Sequence, residues 1–212
     1  MQKPFGREGH DTGKDGALPL VGAGHIKILA AQRFERMMRL VRLPEGKLRV
    51  LEVGCGEGKD VLQFMAGDSR YELWAVDILP QELRWEDVHF VQADAARLPF
   101  EDGSFDLVIT VGVLEHIEPV EKLCAVIREL GRVGRHQLTV VPSVSTLMEP
   151  HCGALRWALR LHRDKLGAQE DGTLRLNYLS DHTWSKFGGF AGCSVEKTWY
   201  LPPLISNTII FR

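Results

Sequence analysis

Val50-Leu51-Glu52-Val53-Gly54-Cys55-Gly56-Glu57-Gly58 carries an apolar run into three glycines spread over five positions. Leu48 to Val53 has the length and composition of a buried strand. The glycine-rich turn after it lets a ligand lie directly against backbone that bears no Cβ. Spacing narrows the choice of ligand. A dinucleotide fingerprint, GxGxxG, would place its last glycine at position 59, where the chain has Lys59. A phosphate-cradling P-loop is excluded more firmly, because no Gly-Lys-Ser/Thr follows.

Working outward, Tyr71 to Val76 is a second apolar run that ends on Asp77, and Val88 to Val91 is a third that ends before Asp94. Phe105 to Val111 and Leu138 to Val141 continue the series. Helical patterns fall between them: Asp60 to Ala66, and Pro119 to Leu130 with Val120, Leu123, Val126, Ile127 and Leu130 on one face. A strand–helix alternation with short connections predicts an α/β fold with right-handed crossovers. Before the core, His25 to Leu43 reads as an amphipathic helix stopped by Pro44-Glu45-Gly46. After it, Ala154 to Leu166 and Leu179 to Phe187 read as helices. Ser194 to Trp199 and Thr208 to Arg212 read as two final strands, too close in sequence for a crossover and so predicted to pair antiparallel.

Asp77 follows Gly54 at the carboxyl end of the second strand, where a carboxylate can accept hydrogen bonds from both hydroxyls of a ribose. An exposed strand-end aspartate is the plainer alternative, and the pairing with the glycine loop is what favours the ribose. Charge and composition set the outer limits. The 212 residues carry 26 basic and 28 acidic side chains, 44% hydrophobic residues and no segment approaching the ~20 apolar residues of a membrane span. Bulk basicity of the kind that marks nucleic-acid binders is absent. Cys55, Cys124, Cys152 and Cys193 form no CxxC and read as reduced thiols, with no metal site expected, so a cytoplasmic location fits.

Taken in order, the glycine loop, Ala75-Val76-Asp77, Gln92-Ala93-Asp94-Ala95, Leu98-Pro99-Phe100-Glu101-Asp102-Gly103-Ser104-Phe105-Asp106-Leu107-Val108 and Val113-Leu114-Glu115-His116-Ile117 resemble the successive motifs of class I S-adenosylmethionine-dependent methyltransferases, of the methyltransferase type 11 kind. The resemblance covers roughly residues 48 to 141. It implies a Rossmann-like, doubly wound seven-stranded sheet, mostly parallel with an antiparallel C-terminal strand, and S-adenosyl-L-methionine as cofactor. It further implies that Gly54, Cys55 and Gly56 pass close to the methionyl part, with Glu52 beneath them ordering the loop or bonding the amino group through water. Asp77 would clasp the ribose, Ile78 would lie against adenine, Asp94 would receive the adenine amino group and the Ala95 amide would reach the ring nitrogen. One departure is that Arg132-Val133-Gly134-Arg135 stands where the family commonly has a Lys-Pro-Gly-Gly turn.

Residues 1–212 are then expected to form one methyltransferase domain. Residues 1–43 supply an N-terminal segment and helix, 48–141 the cofactor-binding core, 142–190 an acceptor-side insertion and 193–212 the C-terminal strands. Met1 to Gly24, with six glycines and two prolines, is expected to be loosely ordered and, together with the helix from His25, to serve as a lid. In-line methyl transfer to an oxygen or nitrogen of a small-molecule acceptor needs alignment, water exclusion and one proton acceptor, for which histidine is the usual choice. His116, beside Glu115, is one candidate base, with packing in the cofactor pocket as the alternative role. His151, in Met148-Glu149-Pro150-His151, is the other, with an ordinary turn as the alternative. His182 and Trp184 could line the same pocket, though a helix cap around Ser180-Asp181 explains that run equally well. Arg156, Arg160 and Arg163 share a helical face that could steer an anionic acceptor, touch a lipid headgroup or RNA, or simply be solvated. A non-catalytic cofactor-binding partner subunit, an NAD-dependent oxidoreductase and an RNA methyltransferase remain as alternatives. The last lacks the Asn/Asp-Pro-Pro-Tyr/Phe motif of amino-methylating nucleic-acid enzymes, since Val141-Pro142-Ser143-Val144 stands after the fifth strand.

Overall fold

The computed structural model describes residues 23–142, 165–170, 174–189, 192–200 and 205–212. Helix α1 (Ala23–Leu40) precedes β1 (Leu48–Val53), α2 (Leu62–Met65), β2 (Tyr71–Asp77), β3 (Val88–Gln92) and β4 (Phe105–Val111). A 3₁₀ turn (Leu114–His116), α3 (Val120–Val133) and β5 (Gly134–Pro142) follow. The chain then gives β6 (Lys165–Glu170), β7 (Leu174–Tyr178), α4 (Asp181–Gly189), β8 (Ser194–Tyr200) and β9 (Ile205–Phe211).

Seven strands form one sheet in the order β3-β2-β1-β4-β5-β9-β8. The pairs from β3 through β5 are parallel, and β9 is antiparallel to both of its neighbours, β5 and β8. The expected doubly wound sheet with one reversed C-terminal strand is therefore present. Parallel pairing puts the carboxyl ends of β1, β2, β3 and β4 along one edge, at Val53, Asp77, Gln92 and Val111. Loops that follow these strands share that edge, which is where open α/β sheets bind ligands.

Both faces of the sheet are covered, which explains why its strands read as nearly continuous apolar runs. Leu48 and Val50 of β1 join Leu107 and Ile109 of β4 in a core closed by α1 and α2 through Met37, Leu62 and Met65, with Phe34 and Phe64 stacked at 5.0 Å. Leu51 and Val53 face the opposite core, closed by Leu123, Val126, Ile127 and Leu130 of α3 and by Trp184 of α4.

Several boundaries differ from those read in the sequence. The helix expected over Asp60 to Ala66 is the short α2, and the fifth strand begins four residues earlier than expected, at Gly134. There α3 passes directly into β5 without the family's turn. Arg132 makes this possible by gripping Glu129 at 2.7 Å, Asp102 at 2.8 Å and the carbonyls of Phe100 and Leu98 at 2.8 and 3.1 Å. Gly134 is required by close approach, because a Cβ there would fall 2.6 Å from Val108 Cγ2. The helix expected over Ala154 to Leu166 is corrected at its end. Lys165 is the first residue of β6, which forms a separate antiparallel hairpin with β7. The rest of that expected helix, with Arg156, Arg160 and Arg163, lies outside the described residues, as do residues 1–22 of the expected lid.

Candidate functional site

The glycine loop is anchored to the end of β2 by its own backbone: the amides of Gly54 and Cys55 both donate to the Val76 carbonyl, at 2.7 and 3.1 Å. Gly54 has φ +72° and Gly56 φ +47°, in the left-handed region where a side chain is strained. Their surroundings differ. A Cβ on Gly54 would meet Val113 Cγ2 at 2.3 Å, so this residue lets the segment after β4 pack onto the loop. A Cβ on Gly56 would meet nothing within 4 Å, so the loop backbone there faces open space. Gly58 is closed over by Trp85, itself 4.2 Å beneath the Arg84 guanidinium.

Asp77 joins the loop to the next segment. Its Oδ2 accepts from the Gly56 amide at 2.9 Å and its Oδ1 from the Leu79 amide at 3.0 Å. Each carboxylate oxygen has a second acceptor site, so capacity remains on both. Beside it Ile78 and Leu79 are 58% and 63% exposed, and they are the exposed large hydrophobic residues among those described.

Glu52 is buried beneath the loop and accepts from the Leu62 amide at 3.2 Å, holding the start of α2. Burial, and then the nearby Asp60 carboxylate, push its carboxyl well above the usual range. Its hydrogen bond goes to the first residue of α2, four residues beyond Gly58. Arg33 of α1 pairs with Asp60 at the edge of the same cluster. Cys55 turns its side chain into the core, where burial pushes the thiol up to about 12. Only its backbone belongs to the loop surface.

Asp94 is the third carboxylate on this edge. Its Oδ1 accepts from the Ala96 amide at 3.0 Å, and its Oδ2 pairs with Lys122 Nζ of α3 at 2.8 Å. The Lys122 ammonium, and after it the Ala96 amide, hold the Asp94 carboxyl below its usual range. The amides of Ala93 and Arg97 are also used, by the carbonyls of Asp77 and Asp94. Among the described residues the Ala95 amide donates to none.

His116 ends the 3₁₀ turn after β4 and is exposed, whereas Glu115 is buried. The turn lies against β7, so the β6–β7 hairpin flanks it. Trp184 is fully buried in the core, and His182 is exposed. His151 and its neighbour Glu149 lie outside the described residues. The sequence reading missed Lys122, Arg33, Trp85 and Leu79. Only Leu79 carried a local signal, an apolar residue directly after a strand-end aspartate and Ile78.

A doubly wound sheet with a glycine loop and two acidic strand ends on its carboxyl edge defines a nucleoside-binding α/β domain. Residues 51–137 match the family model of the methyltransferase domain. The chain is 30% identical over 119 residues to norajmaline N-methyltransferase of Rauvolfia serpentina, an alignment covering 49% of this chain and 39% of that protein. It is likewise 30% identical over 114 residues to the probable tRNA methyltransferase 9B of Mus musculus, covering 52% and 25%. The chain thus spans well under half the length of these curated relatives. In fold it is similar to the crystal structure of Burkholderia thailandensis 1,6-didemethyltoxoflavin-N1-methyltransferase, which holds 1,6-didemethyltoxoflavin and S-adenosylhomocysteine. That likeness has a TM-score of 0.60 and 16% identity, over 95% of this chain and 80% of that one. Over residues 51–137 this chain is therefore similar to the methyltransferase domain, and its fold is that of a solved methyltransferase.

Proposed function

We propose that the protein methylates an oxygen or nitrogen nucleophile of a small-molecule acceptor, with S-adenosylmethionine as the methyl donor. The observation that carries this reading is the open space over Gly56, bounded by the Asp77 carboxylate to which the Gly56 amide is tied. A cofactor backbone can lie where a Cβ would otherwise project, and the residues around that space suit an adenine nucleoside. Gly54 and Gly56 would flank the methionyl part, with Glu52 holding the loop from below. Asp77 would accept from the ribose hydroxyls with its remaining lone pairs. Ile78 would cover the adenine face, Asp94 would accept from its amino group and the unused Ala95 amide would donate to the ring nitrogen.

The cofactor, when bound, supplies a methyl group on a positively charged sulfur, which makes the transfer an in-line displacement. The chain's own work is alignment and exclusion of water, which is where most of the rate enhancement of such a reaction arises. His116, exposed on the turn that Val113 anchors to Gly54, would take the proton from the acceptor nucleophile. His151 is the second candidate for that role.

We read residues 1–212 as one domain, with 1–43 shielding the site and 142–190 shaping the acceptor pocket. A small-molecule acceptor is favoured by the names of the norajmaline and ajmaline N-methyltransferases of Rauvolfia serpentina and by a formal charge of −2. A cytoplasmic location fits the free thiols of Cys55, Cys124 and Cys193. Among the described residues no helix is long and apolar enough to cross a membrane. The test is incubation of the protein with methyl-labelled S-adenosylmethionine and a metabolite extract, read by mass spectrometry. Label in a small molecule supports the reading. Label confined to added tRNA would replace it with the RNA-modifying alternative, and cofactor binding without any transfer would favour a partner subunit.

A further inference from the structure

Lys122 occupies the third position of α3, where a cation opposes the helix dipole. Nothing in helix propensity asks for it there. Its ammonium reaches across to Asp94 Oδ2 at 2.8 Å, joining two segments that are far apart in sequence. The Ala96 amide fixes the other oxygen at 3.0 Å, so the carboxylate plane is pinned from two sides. The Asp94 side chain keeps 43% of its surface exposed, and, one residue on, the Ala95 amide donates to no acceptor among the described residues.

An acceptor beside a donor is the complement of a 6-aminopurine, whose amino group donates and whose N1 accepts. A 6-oxopurine presents the reverse, an oxygen that accepts and an N1–H that donates, so it would set like against like at both positions. Discrimination of this sort holds only while the carboxylate keeps its orientation and stays an acceptor. We infer that Lys122 is a positioning residue that locks Asp94 as the acceptor for a purine 6-amino group, and thereby makes the nucleoside site selective for adenine over hypoxanthine. The inference rests on the cofactor reading above. Lys122 itself need not touch the base, because it acts through Asp94.

Calorimetric titration of the full chain with S-adenosylhomocysteine and with its 6-oxo counterpart, S-inosylhomocysteine, tests this. Wild type should prefer the adenine compound by at least about tenfold, in line with the loss of a hydrogen bond to a charged group. Lys122→Met and Lys122→Gln should each weaken S-adenosylhomocysteine by about tenfold and leave S-inosylhomocysteine nearly unchanged, so that the preference collapses. Lys122→Arg should restore most of it, and Lys186→Met, an exposed lysine of α4, should match wild type. A part-exposed ion pair contributes little to stability, so the thermal midpoints of the variants should stay near that of wild type. Equal weakening of both ligands would reduce Lys122 to a structural role and overturn the inference, as would unchanged affinities. Failure of wild type to bind either compound would instead remove the nucleoside site, and this inference with it.

Discussion

The Gly56 amide donates to Oδ2 of Asp77 across 2.9 Å, so the glycine loop after β1 and the acidic end of β2 form one rigid unit. A ligand lying against the Gly56 backbone would have the Asp77 carboxylate beside it. Loop position and carboxylate position are therefore set together, before any cofactor arrives.

Gly54→Ala and Gly56→Ala should separate folding from binding. At Gly54 the added Cβ meets Val113 at 2.3 Å on top of a left-handed backbone, and we expect a loss of roughly 2 to 4 kcal/mol in denaturant melts. At Gly56 only the backbone strain applies, about 1 to 2 kcal/mol, because the Cβ meets nothing. Yet Gly56→Ala should weaken S-adenosylhomocysteine at least tenfold, since its methyl group projects into the space assigned to the cofactor. A folded Gly56→Ala protein with wild-type affinity would place the ligand elsewhere.

Asp77→Ala should remove charge-assisted hydrogen bonds to the ribose, each worth about 1.5 to 3 kcal/mol, and free the Gly56 amide as well. Affinity for the sulfur nucleosides should fall by an order of magnitude or more, measured by calorimetry on protein whose circular dichroism matches wild type. Undiminished affinity would take Asp77 out of the site.

Glu52 sets a pH dependence whose sign is fixed. Burial raises its carboxyl in the folded state, so folded protein holds this proton to higher pH than the unfolded chain does. Through that window the folded state binds more protons, and the Glu52 contribution to stability falls as pH rises. Glu52→Gln keeps an oxygen for the Leu62 amide and cannot ionise. Its thermal midpoint should exceed that of wild type near pH 8, with the gap closing toward pH 5. A constant gap, or one of opposite sign, would contradict the raised carboxyl.

Much of this architecture was legible because two-sided burial forces a readable pattern on β1 to β5: Leu51 and Val50 face different cores, yet both must be apolar. The turn at Gly54 to Gly58 and the strand end at Asp77 were legible because each is set by chain-local geometry. Lys122 was not, since its partner Asp94 lies on another element and the contact depends on how α3 packs. The Arg33–Asp60 pair was hidden for the same reason. The β6–β7 hairpin was missed because Lys165-Leu166-Gly167-Ala168-Gln169-Glu170 shows no strict alternation and its register shifts between Lys165 and Ala168. Cys55 looked like loop surface, but its thiol is core, a distinction that side-chain direction makes and spacing does not.

His116→Asn should lower kcat by about 10² to 10⁴-fold toward the acceptor, with little change in cofactor affinity, if the imidazole takes the acceptor's proton. Steady-state kinetics and calorimetry on the same variant decide between roles. A variant that chiefly loses cofactor affinity would make His116 a packing residue of the pocket. If kcat changes only a few fold, the enzyme works by alignment and water exclusion.

On this reading the carboxyl edge of the sheet holds one adenine nucleoside with a sulfur side chain and no pyrophosphate. Isothermal titration of the intact chain with S-adenosylhomocysteine, S-adenosylmethionine and NAD tests it most directly. We expect saturable one-to-one binding of the two sulfur nucleosides and no saturable heat from NAD. Saturable NAD binding, with no heat from either sulfur nucleoside, would contradict the account.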